Sequence, residues 1–458
     1  MKAYQDASLA PVRRAKALLE EMTLAEKIGQ LNQRLYGFRI YERKCVNGED
    51  TIELSEEFCQ EVEKYSGLGV LYGLYRADPW ADKNYETGLT GVLSKKAYNQ
   101  VQRYVLEHSR LGIPVMMSSE CPHGHQALDG YLLPVNLLAG ATFDPAMVRA
   151  AYRVSGRQLQ NMGVDLALMS MLDVLRDPRW GRSEECYSED PYLSARMAEA
   201  AVIGMQESGP EVVAKHFAAQ GEGTGGVNAS AARIGERELR EIHFPPAAAA
   251  IKAGAKGIMA AYNEIDGVYC HANRWLLNDV IRKEMGFDGI VMSDGVAIDQ
   301  LDSMTGDNVV SGALALQSGV DVGLWDEAFG KLEEAVRRGL VKEAQIDQAV
   351  LRVLTLKFER GLFEHPYLEE EGEIHMDYAQ NPESVQLARE GLVILQNKNQ
   401  GLPFWENQAS GKKIAVVGPN ADDLYNQLGD YTPPLRRDDG ITAVSYTHLR
   451  AHETRRHL

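Results

Sequence analysis

EVVAKHF (residues 211–217) is a short, almost wholly apolar run, and ERELREIHFPPAAAAIKAG (236–254) and KGIMAAY (256–262) follow it. An apolar run, a longer helical pattern and a second apolar run together are typical of a βαβ unit with parallel strands. Because both strands are nearly continuous in apolar residues, we expect helices to cover both faces of their sheet.

The same alternation extends over most of the chain. Further apolar runs lie at 66–73, 112–119, 162–169, 288–294 and 318–324, and helical patterns lie at 97–110, 145–160, 194–208 and 274–285. Seven such strands fit a (β/α)8 barrel better than an open sheet, with one strand unassigned. A doubly wound sheet stays an alternative, but no GxGxxG motif lies at a strand-to-helix turn. The prediction is an α/β fold with a (β/α)8 TIM-like barrel.

The pattern changes after Phe363, and it predicts four parts. These are a barrel over 1–365, an acidic linker over 366–384, an incomplete α/β sandwich domain over 385–443 and a tail over 444–458. In the sandwich part we predict a helix–strand pair at 385–398 and a buried strand within 411–423. The tail VSYTHLRAHETRRHL has three His and three Arg and no helical or strand period. We expect it to be an artefactual extension of a chain that was cut short.

Composition excludes several classes of protein. The chain has 458 residues, 45% of them apolar, and a net charge of −17, which speaks against disorder and against nucleic-acid binding. It has no run of about 20 apolar residues, so we expect no membrane span, and no signal peptide is recognisable at its start. The five Cys are scattered without a CxxC pair, which favours a reduced cytoplasm and no zinc site.

Polar residues follow the predicted strands, where the functional groups of a barrel gather. They are Glu120, Asp173, the loop 177–185 with Arg182, the pair Lys215–His216, Tyr262 and Asp294. Carboxylates accept hydrogen bonds from sugar hydroxyls, and Lys and Arg donate to them, so the set suits a polyhydroxylated ligand. A carboxylate among cations stays ionised, as a nucleophile must.

Each of these residues has a plainer interpretation when it is taken alone. Asp294 could be a helix cap or a turn residue, and Tyr262 could belong to the core. We expect Glu184 and Glu185 to be solvated or bonded to local backbone. The sequence HGH (123–125) is weak as a metal site because it lacks a third clustered ligand. Only the grouping of such residues at successive strand ends favours a functional site.

Five longer motifs stand out along the chain: MTLAEKIGQL (22–31), DPRWGRSEECYSEDPYL (177–193), AKHF (214–217), MAAYNEIDGVYCHANRWLL (259–277) and GFDGIVMSD (286–294). Together they resemble glycoside hydrolase family 3, the family of β-glucosidases, β-xylosidases and related exo-acting enzymes. AREGLVILQNKNQGLPF and KKIAVVGPNADD resemble the entry into the second domain of the family, an α/β sandwich. The resemblance extends to about Thr442.

The resemblance implies a role for each site residue. Asp294 would be the nucleophile of a retaining β-glycosidase, and Glu120 would bind the outer hydroxyls of the sugar. The same sugar ring would be held by Arg182, Lys215 and His216. Tyr262 would lie beside the nucleophile. The implied activity is exo-acting hydrolysis of terminal β-D-glucosyl residues through a glycosyl-enzyme.

Departures from the family pattern keep alternatives open. Gly295 stands where many members carry an aromatic residue, which could widen the site or move the stacking contact to Trp325. Glu120 stands where many β-glucosidases have Asp, so a β-xylosidase is an alternative. The resemblance implies an acid/base from the second domain, which we expect this chain to have lost. A sugar-binding fragment without full activity is therefore a further alternative.

The expected partner is a small carbohydrate substrate. We expect no nucleic acid, no membrane, no metal and no organic cofactor, and a homo-oligomer is left open. A different class of protein, a barrel enzyme that acts on phosphorylated substrates, would need a Gly-rich phosphate-binding loop after the last strands. Residues 318–330 contain no clear loop of this kind.

Overall fold

The computed structural model describes residues 2–372, 374–398, 402, 417–418 and 428–434. The strands in this part of the chain are β1 Tyr41–Val46, β2 Glu49–Leu54, β3 Val70–Tyr72, β4 Met116–Glu120, β5 Leu166–Ser170, β6 Glu211–Phe217, β7 Gly257–Ala260, β8 Glu264–Ile265, β9 Val268–Tyr269 and β10 Ile290–Met292. β1 and β2 form an antiparallel hairpin, as do the two-residue strands β8 and β9.

Helices connect the strands and cover the sheet. They are α1 Pro11–Leu19, α2 Leu24–Leu31, α3 Glu56–Tyr65, α4 Gly91–Glu107, α5 Asn136–Ala141, α6 Pro145–Asn161, α7 Pro191–Gln206, α8 Glu236–Glu238, α9 Phe244–Lys252, α10 Ala297–Gln300, α11 Asp302–Thr305, α12 Asn308–Ser318, α13 Leu332–Arg337, α14 Glu343–Glu359 and α15 Glu383–Glu390. Two π-helical segments, Leu239–His243 and Trp275–Glu284, add to them.

Six parallel strands form the main sheet in the order β10–β7–β6–β5–β4–β3. Neighbours in space are neighbours along the chain among these six, as in a barrel built from successive βα units. The register pairs Val70 with Met116 and Leu166 with Glu211. Every residue of β4 and β5 is buried, so the sheet is covered on both faces as the apolar runs predicted.

Two further stretches close the sheet into a barrel. Val322 forms a parallel bridge to Met292 of β10, and Tyr36 forms one to Tyr72 of β3. The stretches meet each other where the N–H of Gly323 donates to the carbonyl of Leu31 at 3.0 Å. The predicted (β/α)8 TIM-like barrel is confirmed, and residues 31–36 occupy the position that the sequence left unassigned.

The missing strand escaped prediction because its interior residues are polar. Asn32 and Gln33 are 1% exposed. The Asn32 amide donates to Glu61 at 2.7 Å, and Gln33 Oε1 accepts from the Ser118 hydroxyl at 2.8 Å. Because their hydrogen bonds are satisfied in this way, burying these amides costs little free energy. A strand built on them, however, has no apolar run by which the sequence could reveal it.

Local sequence sets where the barrel helices begin. The Asp144 carboxylate accepts a hydrogen bond from the Met147 N–H at 3.0 Å, and Pro145 occupies the first turn of α6. Asp190 caps α7 in the same way, with Pro191 next in the chain. An acidic cap followed by Pro satisfies a free N–H and fixes φ for the first turn.

Within the described residues, no helix is both long and apolar enough to cross a membrane.

The region after the barrel differs in part from expectation. The predicted helix is α15, but the strand predicted after it is wrong, because residues 392–397 form no strand. Leu395 is 94% exposed, and no neighbouring strand among the described residues covers it. The strand predicted within 411–423 and the tail 444–458 lie outside the described residues. The division into four parts stays a prediction.

Candidate active site

The six predicted site residues lie together at the carboxyl ends of the barrel strands. A cavity of about 210 Å³ opens there, and five of them line it: Glu120, Arg182, Lys215, Tyr262 and Asp294. Trp325, to which the sequence could move the stacking contact, also lines the cavity, together with five residues that we had not placed in it: Arg76, Trp80, Leu324, Asp430 and Tyr431. His216, the sixth predicted residue, is buried directly behind Arg182 and Asp294.

Glu120 and Lys215 form a buried ion pair across the barrel. Lys215 Nζ lies 2.6 Å from Glu120 Oε2, and both side chains are less than one-tenth exposed. The Tyr72 hydroxyl donates to the other oxygen, Oε1, at 3.1 Å, and Arg76 donates in turn to Tyr72. Buried charged groups need such partners, because each would otherwise lose its hydration and gain no protein interaction that compensates for the loss. The pair therefore presents a fixed acceptor and a fixed donor to a ligand.

Arg182 is held by a buried carboxylate. Its Nη2 lies 3.0 Å from Glu185 Oε2, and the Ser170 hydroxyl contacts the same carboxylate. Burial opposes the ionisation of Glu185, but the adjacent guanidinium outweighs it and lowers the pKa to about 2. Our expectation that Glu185 is solvated or bonded only to local backbone was wrong. The separation of three residues between Arg182 and Glu185 was the sequence feature that could have predicted this ion pair.

His216 bridges Asp173 and Arg182. Its Nδ1 lies 2.8 Å from Asp173 Oδ2, and Arg182 Nη2 lies 3.0 Å from its Nε2. Because a guanidinium can only donate, Nε2 accepts and the proton of a neutral ring lies on Nδ1. Nε2 also lies 3.6 Å from Asp294 Oδ2, which is beyond hydrogen-bonding distance. His216 thus positions Arg182 beside Asp294.

Asp294 lies two residues after the end of β10, with one carboxylate oxygen hydrogen-bonded and the other without a hydrogen bond from a described residue. Its Oδ1 accepts from the N–H of Gly295 at 2.8 Å, and its own N–H donates to His271 Nε2 at 3.1 Å. No described residue hydrogen bonds to Oδ2, although this oxygen is buried. Asp294 does not cap the helix that follows, since α10 begins after Val296. A carboxylate that is held in this way and lines a cavity can attack a bound ligand.

Tyr262 lies beside the nucleophile candidate. Its hydroxyl donates to the Gly295 carbonyl at 2.8 Å. Burial raises the pKa of this phenol, and the charge of Asp294 raises it further. Tyr262 therefore stays neutral and acts through its hydroxyl.

A segment far along the chain, residues 428–434, completes the cavity. The N–H of Asp430 donates to Glu184 Oε1 at 2.6 Å, and the Asp430 carbonyl contacts His123 Nε2. The Tyr431 hydroxyl accepts from Arg182 Nη2 at 3.2 Å, and Lys215 Nζ lies 4.9 Å from the centre of the Tyr431 ring. Tyr431 escaped prediction because it lies far along the chain from the barrel strands, and nothing in the local sequence indicates that it reaches this cavity. Glu184, expected to be solvated, anchors this segment.

The two histidines of HGH have protein partners instead of each other. His123 Nδ1 lies 3.0 Å from the Leu133 carbonyl, and His125 Nε2 lies 2.8 Å from the Ser119 hydroxyl. Among the described residues, no group of three or more His, Cys, Asp or Glu has the geometry to hold a metal ion.

The chain is similar to known sugar-cleaving enzymes over most of its length. The model of the glycosyl hydrolase family 3 N-terminal domain matches residues 23–356. A periplasmic beta-glucosidase of Salmonella typhimurium is 30% identical over 93% of this chain and 53% of its own length. A beta-xylosidase of Formosa agariphila is 32% identical over 78% of this chain and 54% of its own.

Solved structures agree with these relatives. A β-glucosidase from Erythrobacter marinus superposes with a TM-score of 0.82 at 31% identity, covering 94% of this chain and 56% of that one. The β-glucosidase of Listeria innocua in complex with glucose gives a TM-score of 0.73 at 30% identity, over 85% of this chain and 52% of that one. The chain spans about half the length of the curated relatives it matches. From the matched domain and the shared barrel, the chain belongs to glycosyl hydrolase family 3.

Proposed function

We propose that the barrel is the catalytic domain of a retaining, exo-acting β-glycosidase that removes terminal β-D-glucosyl residues. The observation that carries this proposal is the state of Asp294. Asp294 lines the cavity; one of its carboxylate oxygens is fixed by the N–H of Gly295, and the other is buried without a hydrogen bond from a described residue. Such a group is prepared to form a bond to a sugar.

The step we assign to Asp294 is displacement at the anomeric carbon. Oδ2 forms a bond to that carbon while the bond to the departing oxygen breaks, and the electron pair leaves with that oxygen. Arg182 and Lys215 provide fixed positive charge beside the reacting carboxylate, and Glu120 accepts hydrogen bonds from ring hydroxyls. Water then hydrolyses the ester, which restores the original configuration.

A fluorosugar trapping experiment tests the proposal. We expect 2,4-dinitrophenyl 2-deoxy-2-fluoro-β-D-glucoside to label Asp294, detected by intact mass and peptide mapping. Dinitrophenolate departs without a proton, so labelling depends on the nucleophile and not on an acid. We expect Asp294→Asn to abolish labelling. The matched control is Asp288→Asn, an exposed carboxylate just before the same strand, which we expect to label at the wild-type rate. Unchanged labelling of Asp294→Asn would contradict the assignment.

A β-xylosidase is the second candidate, and Glu120 is the observation that favours it. Tyr72 and Lys215 hold this carboxylate in place, so it cannot turn away to admit a larger sugar. The beta-xylosidase name of the Formosa agariphila relative points the same way. Comparing the labelling rates of fluoroglucosyl and fluoroxylosyl reagents decides between the two. A rate at least tenfold higher for the xylosyl reagent would replace the glucosidase proposal.

A further inference from the structure

Asp326 is a buried carboxylate beside the candidate active site. It is 1% exposed and is not among the residues that line the cavity. Its Oδ2 accepts hydrogen bonds from the Ser293 hydroxyl at 2.6 Å and from the Leu324 N–H at 3.1 Å. Its Oδ1 accepts from the N–H groups of Ile298 and Asp299 at 2.9 Å and 3.2 Å. Because both oxygens have protein partners, Asp326 supports other residues and does not contact a ligand.

The partners of Asp326 lie on both sides of Asp294. Ser293 immediately precedes Asp294 and is buried. Ile298 and Asp299 belong to the short helix α10, which begins just after Val296. One side chain therefore connects the end of the strand before Asp294 with the helix after it, and it fixes both ends of the turn 294–297.

This turn has a strained backbone that must be held in place. The φ of Val296 is +62°, in the left-handed region, where a β-branched residue is a genuine outlier. Its N–H donates to the Leu324 carbonyl at 2.8 Å. A residue keeps such a conformation only where the surrounding structure enforces it. Without its supports we expect the turn to relax and Asp294 to move with it.

Helix α10 also holds the segment that carries Asp326. The Asp299 carboxylate accepts from the N–H of Glu327 through Oδ2 and from the N–H of Ala328 through Oδ1, each at 2.9 Å. Asp326 and Asp299 thus each accept backbone N–H groups from the segment of the other. Because these partners are backbone groups, the two segments have fixed positions relative to each other.

We propose that Asp326 is a positioning residue for the nucleophile: it fixes the turn 294–297 and thereby the orientation of the Asp294 carboxylate at the cavity. The inference rests on the proposed function and adds a residue outside the cavity on which the rate of attack depends. A displacement of about 1 Å in a reacting group can cost roughly a hundredfold in rate. Sugar binding depends on groups with other partners, such as the ion pair of Glu120 and Lys215.

The kinetics of fluoroglucosyl labelling of the 458-residue chain test the proposal. The rate at saturating reagent reports the attack by Asp294, and the half-saturating concentration reports binding. We expect Asp326→Asn to lower the saturated rate by roughly tenfold and Asp326→Ala by roughly a hundredfold. The half-saturating concentration should change by less than about threefold, because the groups that bind the sugar keep their partners. The asparagine variant is milder because its amide keeps one acceptor oxygen.

The matched control is Asp321→Asn. Asp321 is 2% exposed and accepts from the N–H of Val291, in the same strand β10, at 2.8 Å. Arg282 and Arg352 also donate to it, each at 2.7 Å. This equally buried carboxylate lies away from the cavity, so we expect its variant to lower the unfolding midpoint and to keep the saturated labelling rate. An Asp326→Ala variant that behaves in the same way would overturn the proposal, because Asp326 would then be only structural.

Hydrogen exchange followed by mass spectrometry keeps this inference separate from the proposed function, because it needs no catalysis. The amides of Ile298 and Asp299 lose their acceptor in Asp326→Ala, so we expect the peptide 293–300 to exchange faster than in the wild type. The peptide 257–260 in β7 should exchange as before. Unchanged exchange over 293–300 would overturn the inference whatever the labelling shows. Faster exchange together with a wild-type chain that is not labelled at Asp294 would contradict the nucleophile assignment alone.

Discussion

At the scale of single residues, His271 is a support of Asp294 that depends on its protonation state. Its Nε2 accepts the N–H of Asp294 at 3.1 Å, which only an unprotonated nitrogen can do. The ring is 1% exposed, and this burial lowers its pKa to about 4. While the ring stays buried, the histidine is therefore a neutral acceptor above a pH of about 4.

This pKa predicts a pH dependence of stability. Between pH 6.5 and 4 the unfolded chain binds a proton at His271 and the folded chain does not, so the free energy of unfolding falls as the pH falls. The contribution is about 3 kcal/mol for a shift of this size, complete near pH 4. We expect His271→Gln to show a shallower slope of unfolding free energy against pH in urea titrations. His108→Gln, at an exposed site, is the control and should keep the wild-type slope. Parallel curves for His271→Gln and the wild type would refute this role.

Residues at strand ends could be predicted, and their supports could not. Asp294 and Glu120 follow apolar runs, and a barrel brings all such ends to one mouth. Tyr72 lies inside an apolar strand, so the sequence does not distinguish it from a core residue. His271 lies in a single 3₁₀ turn, Cys270–Ala272, which follows the two-residue strand β9, and Tyr431 reaches the site from a distant segment. The spacing of apolar residues along the sequence predicts which face of a helix or strand is buried. It does not predict which buried polar side chains contact each other.

At the scale of elements, helices α6 and α7 pack closely because glycines let their backbones meet. A Cβ built on Gly204 of α7 would lie 2.3 Å from the Arg149 carbonyl oxygen of α6. A Cβ on Gly156 of α6 would lie 2.8 Å from the Met205 carbonyl oxygen of α7. The contact is reciprocal, and backbone atoms cannot turn aside as a side chain can.

We therefore predict that Gly204→Ala destabilises the protein. Alanine should gain about 1 kcal/mol of helix propensity, but forcing two packed helices apart costs more, and we expect a net loss of about 1–3 kcal/mol. Chemical denaturation of the purified variant measures it. Gly235→Ala, where a Cβ meets nothing within 4 Å, is the matched control and should change stability by less than about 0.5 kcal/mol. A Gly204→Ala variant as stable as the wild type would show that the helices can separate freely.

Elements with a strong apolar pattern were predictable, and those built on pairing were not. The run 211–217 became β6, and 145–160 became α6, each within a residue or two. Residues 31–36 occupy a strand position of the barrel, and hydrogen bonds of buried amide side chains hold them there. The spacing of apolar residues does not reveal such a strand. The apolar run near 391–395 had the pattern of a strand, but a strand needs a neighbour, and the described residues provide none.

At the scale of the whole molecule, the acidic segment predicted as a linker lies across the outside of the barrel. The Leu368 N–H donates to Asn99 Oδ1 at 2.8 Å, and Ile374 is 3% exposed. Tyr378 stacks on Tyr131 with centroids 4.8 Å apart. Leu387 of α15 is 1% exposed. The predicted linker and the helix α15 that follows it thus contribute buried apolar surface to the barrel, although the composition of 366–384 is that of an exposed connection.

Two shortened variants measure this contribution. One ends after Glu390 and the other after His365, and both lack the segment with Tyr431, so their difference isolates residues 366–390. We expect the shorter variant to be less stable by at least about 3 kcal/mol, because Ile374 and Leu387 each bury an aliphatic side chain worth about 1.5–3 kcal/mol. Removal also leaves Tyr131 without its stacking partner. Urea unfolding followed by circular dichroism gives both free energies. Equal values would mean that the barrel is complete at residue 365 and that the segment adds no stability to it.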